Sequence, residues 1–200
     1  MKVLVFSDLH CSVDAANSIV ERSSDVDCVV GAGDFANIHK GIERTIDVLK
    51  RIIKPTIVVP GNNETLDELR YATNGWPSVH VLHGSGVEIN GKKFFGIGCG
   101  IPVTPFGDWS FDLSESEATK ILDNCEAVDV LVSHSPPNGI VDRSAVGESL
   151  GSQAVLATIV RCQPQLVVCG HIHDSAGQSE SRGPTTVINA GPGGAIIELS

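Results

Sequence analysis

Short apolar runs alternate with amphipathic stretches through the first seventy residues. Residues 2–6, 27–30 and 56–59 are almost continuously aliphatic, the pattern of strands buried on both faces. Residues 12–22, 37–53 and 64–72 read as helices. Ser12 is placed to cap the first. In the second, Ile42, Ile46, Leu49 and Ile53 recur at helical spacing, and Pro55 stops it. This βαβαβα order predicts parallel strands joined by crossover helices.

The middle of the chain changes character. Residues 79–82, 86–89 and 92–97 are short β segments, and Asn90-Gly91 between the last two is a hairpin signal. Ser114, with Glu117 three residues on, has capping-box spacing and opens another helix. Apolar strands follow at 128–132 and 165–169, with a helix at 152–161 between them. Residues 185–189 and 195–199 close the pattern as strands. The stretches 98–113 and 135–151 have no regular pattern and are long for connections, which marks them as functional loops. No repeat, low-complexity tract or linker interrupts the chain, so residues 1–200 are expected to form a single α/β domain.

Composition narrows the picture. A chain of 200 residues can bury a substantial core, and 4% aromatic content suits an aliphatic sheet. The formal net charge of -10 makes nucleic-acid binding unlikely. No apolar stretch approaches the ~18 residues of a membrane helix, and the opening run is too short for a signal peptide. The cysteines (Cys11, Cys28, Cys99, Cys125, Cys162, Cys169) form no CxxC pair and no framework spacing. They read as reduced thiols of a cytoplasmic protein.

Five of the predicted strands end on residues of metal-ligand type: Asp8-Leu9-His10, Gly33-Asp34, Gly61-Asn62-Asn63-Glu64, Ser133-His134-Ser135 and Gly170-His171-Ile172-His173. Taken singly, these have bland readings. Asp after Gly marks a turn, Asn caps a helix, and a lone His is usually a hydrogen-bonded structural residue. Taken together, Asp8, His10, Asp34, Asn62, His134, His171 and His173 lie where the carboxyl ends of parallel strands converge. Carboxylates, imidazoles and one amide oxygen exceed what one ion needs and suit two ions sharing a carboxylate. Asp8 and His10 would face one ion from an extended chain, and His171 and His173 would share one face of a strand end. Of the remaining histidines, His80 and His83 read as structural, while His39, expected in a first helical turn, could line the rim. Two divalent ions would bring the net charge to about -6.

The order Asp-x-His, Gly-Asp, Gly-Asn-x-Glu, His, Gly-His-x-His resembles the calcineurin-like metallophosphoesterases over nearly the whole chain. Three stretches look like the class III phosphodiesterase branch and the related brain metallophosphoesterases: Pro105-Phe106-Gly107-Asp108-Trp109-Ser110-Phe111, His134-Ser135-Pro136-Pro137-Asn138-Gly139 and Gly170-His171-Ile172-His173. The resemblance implies a four-layer α/β/β/α sandwich with two mixed sheets. It also implies a first ion on Asp8, His10, Asp34 and His173, and a second on Asp34, Asn62, His134 and His171, with Asp34 bridging. The ions would be divalent or mixed-valence; manganese, iron, zinc, nickel and cobalt all suit these donors.

One position departs from the family pattern. Where the family has a histidine that assists the leaving group, this chain has Asn63. An amide can bind phosphate but cannot transfer a proton at neutral pH. The implied activity is hydrolysis of small phosphodiesters, nucleotides among them, by a metal-bridging hydroxide, with Asn63 orienting the phosphate. Two other readings stay open: a scaffold that uses this fold for protein interaction, and a phosphomonoesterase or pyrophosphatase. Relatives include dimers, so a homodimer is allowed, although no exposed apolar stripe calls for one.

Overall fold

The aliphatic runs become the inner strands of two mixed sheets in the computed structural model, which describes residues 1–200. The first sheet contains β1 (Lys2–Phe6), β2 (Cys28–Gly31), β3 (Thr56–Val58), β4 (Val79–Val81) and β11 (Ala195–Glu198), in the order β11-β1-β2-β3-β4. Only β11 runs antiparallel to its neighbour. The second contains β5 (Ser85–Ile89), β6 (Lys92–Ile97), β7 (Val130–Ser133), β8 (Leu166–Cys169), β9 (Ser179–Arg182) and β10 (Thr185–Asn189), in the order β5-β6-β7-β8-β10-β9. Its four central strands are parallel and its two edges antiparallel.

Helices cover the outer faces. On the first sheet lie α1 (Val13–Arg22), α2 (Ile42–Leu49) and α3 (Leu66–Ala72); on the second lie α4 (Glu115–Leu122) and α5 (Gln153–Cys162). Strand alternation divides the core. Val3 and Val5 join Phe94, Val130, Val132 and Val168 between the sheets. Leu4 and Phe6 turn outward to Ile19, Ile46 and Leu49 of the helices. Leu131 and Val167 do the same against Leu122, Val155 and Ile159. Burial on both faces is why these strands carry no polar alternation. The four-layer sandwich is the expected one.

Three local readings are corrected. The helix expected over 37–53 is confined to Ile42–Leu49. Asn37 pairs with Lys40 in a turn, and Ile38, His39 and Gly41 take φ of 49°, 58° and 72°. The cause is tertiary: the Ile38 and His39 N–H groups donate to Oδ1 and O of Asn63, which ties this segment to the chain after β3. Likewise, α3 starts at Leu66, because Thr65 caps it in a capping box with Glu68 while Glu64 turns inward. The strand β9 was not foreseen; its sequence, Ser-Glu-Ser-Arg, is wholly exposed and has no apolar pattern. The hairpin turn matches its signal, with φ of 51° at Asn90 and 77° at Gly91.

Candidate metal centre

Asp8 and His10 follow β1, Asp34 follows β2, Asn62 follows β3, His134 follows β7, and His171 and His173 follow β8. These strands run parallel within each sheet, so their carboxyl ends meet along one edge of the sandwich. All seven side chains converge there, in two groups that meet at Asp34. Asp34 Oδ2 lies 3.5 Å from His10 Nε2, and Asp34 Oδ1 lies 3.5 Å from His134 Nε2. In the first group, His10 Nε2 and His173 Nε2 are 3.1 Å apart, and His173 Nε2 is 3.7 Å from Asp8 Oδ1. The ligand atoms of Asp8, His10, Asp34 and His173 all lie within 4.8 Å of one another. In the second group, Asn62 Oδ1 is 3.2 Å from His134 Nε2 and 3.1 Å from His171 Nδ1.

The chain reaches this geometry by turning sharply, not by staying extended. Asp8, His10, Asp34 and His171 adopt φ of 56°, 42°, 59° and 68°. Each such conformation costs roughly 1–3 kcal/mol and persists only where its surroundings enforce it. The turn at His171 also separates the two imidazoles expected on one face: His171 goes to Asn62 and His134, His173 to His10 and Asp8. Glycine is required where loops touch. A Cβ on Gly61 would lie 2.0 Å from Asp34 Oδ1, and one on Gly170 would lie 2.4 Å from Asp8 Oδ2.

Hydrogen bonds fix the orientation of the groups. His134 Nδ1 donates to the Ala32 carbonyl at 2.7 Å, which fixes the ring with Nε2 facing Asp34 and Asn62. Burial lowers the His134 pKa, but the Asp34 and Asp8 charges and the Ala32 carbonyl outweigh it and raise the pKa above the ordinary histidine value. The Asn62 amide donates to Ser110 Oγ at 2.9 Å, so its oxygen points inward. Asp8 accepts from Ser7 Oγ and from the His171 N–H. Asn63 lines the cleft edge but is almost buried, and its amide is engaged. Nδ2 donates to Asp34 Oδ2 at 2.8 Å, the backbone N–H donates to Asp34 Oδ1 at 2.9 Å, and Oδ1 accepts from Ile38.

Glu64 stands in the Gly-Asn-x-Glu pattern, but in the sequence it reads only as the start of a helix and is given no role in the site. It is fully buried and accepts the N–H groups of Asp34, Ala36 and Gly61 at 2.7–2.9 Å, which locks two ligand loops together. Its place two residues after Asn62 was the available signal.

The electrostatics follow from burial and proximity. Burial favours a protonated Asp8, but His173, His134 and Ser7 outweigh it and hold the carboxyl at about 2. Burial, then His134, push His171 down to about 3, so its ring is neutral. Burial and the Asp34 charge lift Glu64 to about 7. In both groups, carboxylate or amide oxygens and imidazole nitrogens, the atom types that bind a metal, lie 3.1–3.7 Å from one another. Ligands of a shared ion with bonds of 2.0–2.2 Å sit roughly 3.0–3.5 Å apart, so the donor set fits a cation. Asp8, His10, Asp34 and His173 form the cluster that could hold one.

The centre forms the floor of a cleft of about 350 Å³. Both irregular segments line it: Phe106 and Trp109 from one, Ser144 and Leu150 from the other. Phe111 instead packs on His83, at 6.0 Å between ring centroids. Arg143 bonds the Gly147 carbonyl of its own loop. All six cysteines are free thiols. No helix is long and apolar enough to cross a membrane.

The family model of the calcineurin-like phosphoesterase superfamily domain matches residues 1–196. UPF0046 protein K07C11.7 of Caenorhabditis elegans is 29% identical over 95% of this chain and 69% of its own. Human metallophosphoesterase domain-containing protein 1 is 35% identical over 54% of this chain, a match that spans only 33% of the human protein. Among solved structures, TT1561 of Thermus thermophilus shares the fold with a TM-score of 0.76 and 18% identity, over 95% of this chain and 88% of that one. Sequence, fold and strand-end residues agree: the chain belongs to the calcineurin-like phosphoesterase superfamily.

Proposed function

We propose that the chain is a dimetal-dependent phosphodiesterase of small phosphate esters, nucleotides among them. The observation that carries this reading is Asp34, whose two oxygens each face a separate group of ligand-type side chains. In this reading, Asp8, His10, Asp34 and His173 hold one ion, and Asp34, Asn62, His134 and His171 hold the other. Manganese, iron, zinc, nickel and cobalt all suit these donors. When bound, such a pair supplies an activated water and offsets phosphoryl charge.

The protein's own groups prepare the site. Glu64 and Asn63 hold Asp34 in place, and the Ala32 carbonyl and Ser110 aim His134 and Asn62. Asn63 cannot protonate a leaving group, so esters of acidic alcohols are the favoured substrates. A diester carries one negative charge, and no Lys or Arg lines the cleft to bind more, which supports a diester over a monoester or pyrophosphate. Six free thiols support a cytoplasmic location. The complete ligand set argues against a pure interaction scaffold, and a homodimer is compatible with this reading.

The test is hydrolysis of bis-p-nitrophenyl phosphate after EDTA stripping and again with manganese restored. Turnover should need metal and fall at least ~100-fold in Asp34→Ala. Folded, metal-loaded protein that turns over no diester with any of the five metals would overturn the reading and favour the scaffold.

A further inference from the structure

His39 stands outside the ligand set, in the loop before α2, with its ring between two other segments. Nδ1 lies 2.8 Å from Glu68 Oε2 of α3, and Nε2 lies 2.5 Å from the Trp109 carbonyl. Both partners can only accept. A neutral imidazole carries one N–H and can satisfy one of them; only the imidazolium donates to both. Glu68 is itself pinned by the N–H and hydroxyl of Thr65, and the His39 backbone is pinned by its bond to Asn63. The ring is therefore a clamp between a fixed helix terminus and a loop.

That loop carries the aromatic wall of the cleft. Phe106 and Trp109 stack at 5.6 Å with 15° between planes, and Phe106 is 51% exposed. From residue 105 to residue 109, the bond to His39 is the one hydrogen bond that reaches another part of the fold. The next residue, Ser110, is secured separately by Thr104, Asp112 and Asn62, so the wall can loosen without releasing Asn62.

We propose that His39, as an imidazolium, is the positioning residue that seats the Phe106–Trp109 wall, and that this wall stacks on a flat ring of the substrate. The stacking half rests on the phosphoesterase reading; the clamp does not. The surroundings favour a charged ring. Glu43, Glu64, Glu68 and Tyr71 line the small cavity beside His39, with no Lys or Arg among its lining. The hydrogen bond with Glu68, opposed by burial and aided by the Trp109 carbonyl, lifts His39 above the ordinary histidine range. The sign follows: the clamp is closed at low pH and opens as pH rises through the folded value.

Two measurements on the full, metal-loaded chain test this. The first is tryptophan fluorescence across the histidine titration range. Trp76 is buried and bonded to the Ile52 carbonyl, so the change should come from Trp109. A transition on the alkaline side of the ordinary histidine pKa that vanishes in both His39→Gln and Trp109→Phe is the expected result. No transition in the unmutated protein, or one that persists in His39→Gln, overturns the clamp. The second compares bis-p-nitrophenyl phosphate with methyl p-nitrophenyl phosphate, which has the same leaving group but no second ring. In His39→Gln the kcat/KM ratio of the two should fall about tenfold, with the loss in KM, as expected for one aromatic stack. An unchanged ratio overturns the stacking role. If neither ester is hydrolysed, the phosphoesterase reading fails, and the fluorescence still decides the clamp.

Discussion

Four of the seven converging residues hold backbone conformations that side chains rarely adopt. The strain lies where the chain must aim a carboxylate or imidazole sideways from a strand end, and buried Glu64 helps to enforce it. Loop contact is so close that one methyl group should matter. Gly61→Ala would press on Asp34 Oδ1, and metal affinity by calorimetric titration should fall at least ~10-fold. Gly193→Ala meets nothing within 4 Å and serves as the control. Equal affinity in both would show that Asp34 is not held as described. His83 gives a second prediction, away from the centre. Burial pushes its pKa below the ordinary value, and its Nδ1 accepts the Gly98 N–H at 3.1 Å. A depressed folded pKa means that its contribution is complete above the ordinary histidine pKa and lost as pH falls through the folded value. Thermal unfolding of metal-free protein should therefore show an acid-side loss of stability that His83→Gln reduces. An identical pH dependence in the variant would rule this out.

At the level of elements, helix ends do much of the positioning. Thr65 caps α3 through a capping box whose Glu68 also meets His39. Glu115 of α4 reaches across to α5, where its carboxylate accepts from Ser152 Oγ and from the N–H groups of Gln153 and Ala154 at 2.8–2.9 Å. A carboxylate on an N-terminus satisfies unpaired donors and opposes the helix dipole. Glu115→Gln should destabilise the protein by about 1–2 kcal/mol in urea unfolding, whereas replacement of exposed Glu180 should change little. Similar midpoints for the two variants would mean that the contact contributes nothing. The same α5 follows the loop that supplies Leu150 to the cleft, so this cap also anchors one cleft wall.

For the molecule as a whole, two sheets are brought together at a crowd of acceptors. β1, β2 and β3 bring four of the seven residues and β7 and β8 the other three, so the centre exists only when both sheets are packed. An ion held between them should therefore oppose their separation. Stabilisation by a tightly bound ion is about 4 kcal/mol at a thousand times Kd. Adding manganese to EDTA-treated protein should raise the melting temperature by several degrees, and Asp34→Ala should abolish the rise. A melting temperature indifferent to every metal tried would argue against a centre shared between the sheets.

The strands and most helices were legible because burial on two faces or one stripe is written directly into local hydrophobic pattern, as at Lys2–Phe6 and Ile42–Leu49. The metal-type residues were legible because their chemistry recurs at strand ends, and parallel topology alone makes those ends neighbours. Other features depended on contacts between distant segments. Asn37–Gly41 is a loop because Asn63 binds it, and β9 exists because β10 pairs with it. Asn63 lies against Asp34, and His39 against Trp109, because of how the loops meet. Local pattern determines which face a residue prefers. Which oxygen meets which nitrogen is decided by turns at positive φ and by hydrogen bonds spanning tens of residues, which no local period encodes.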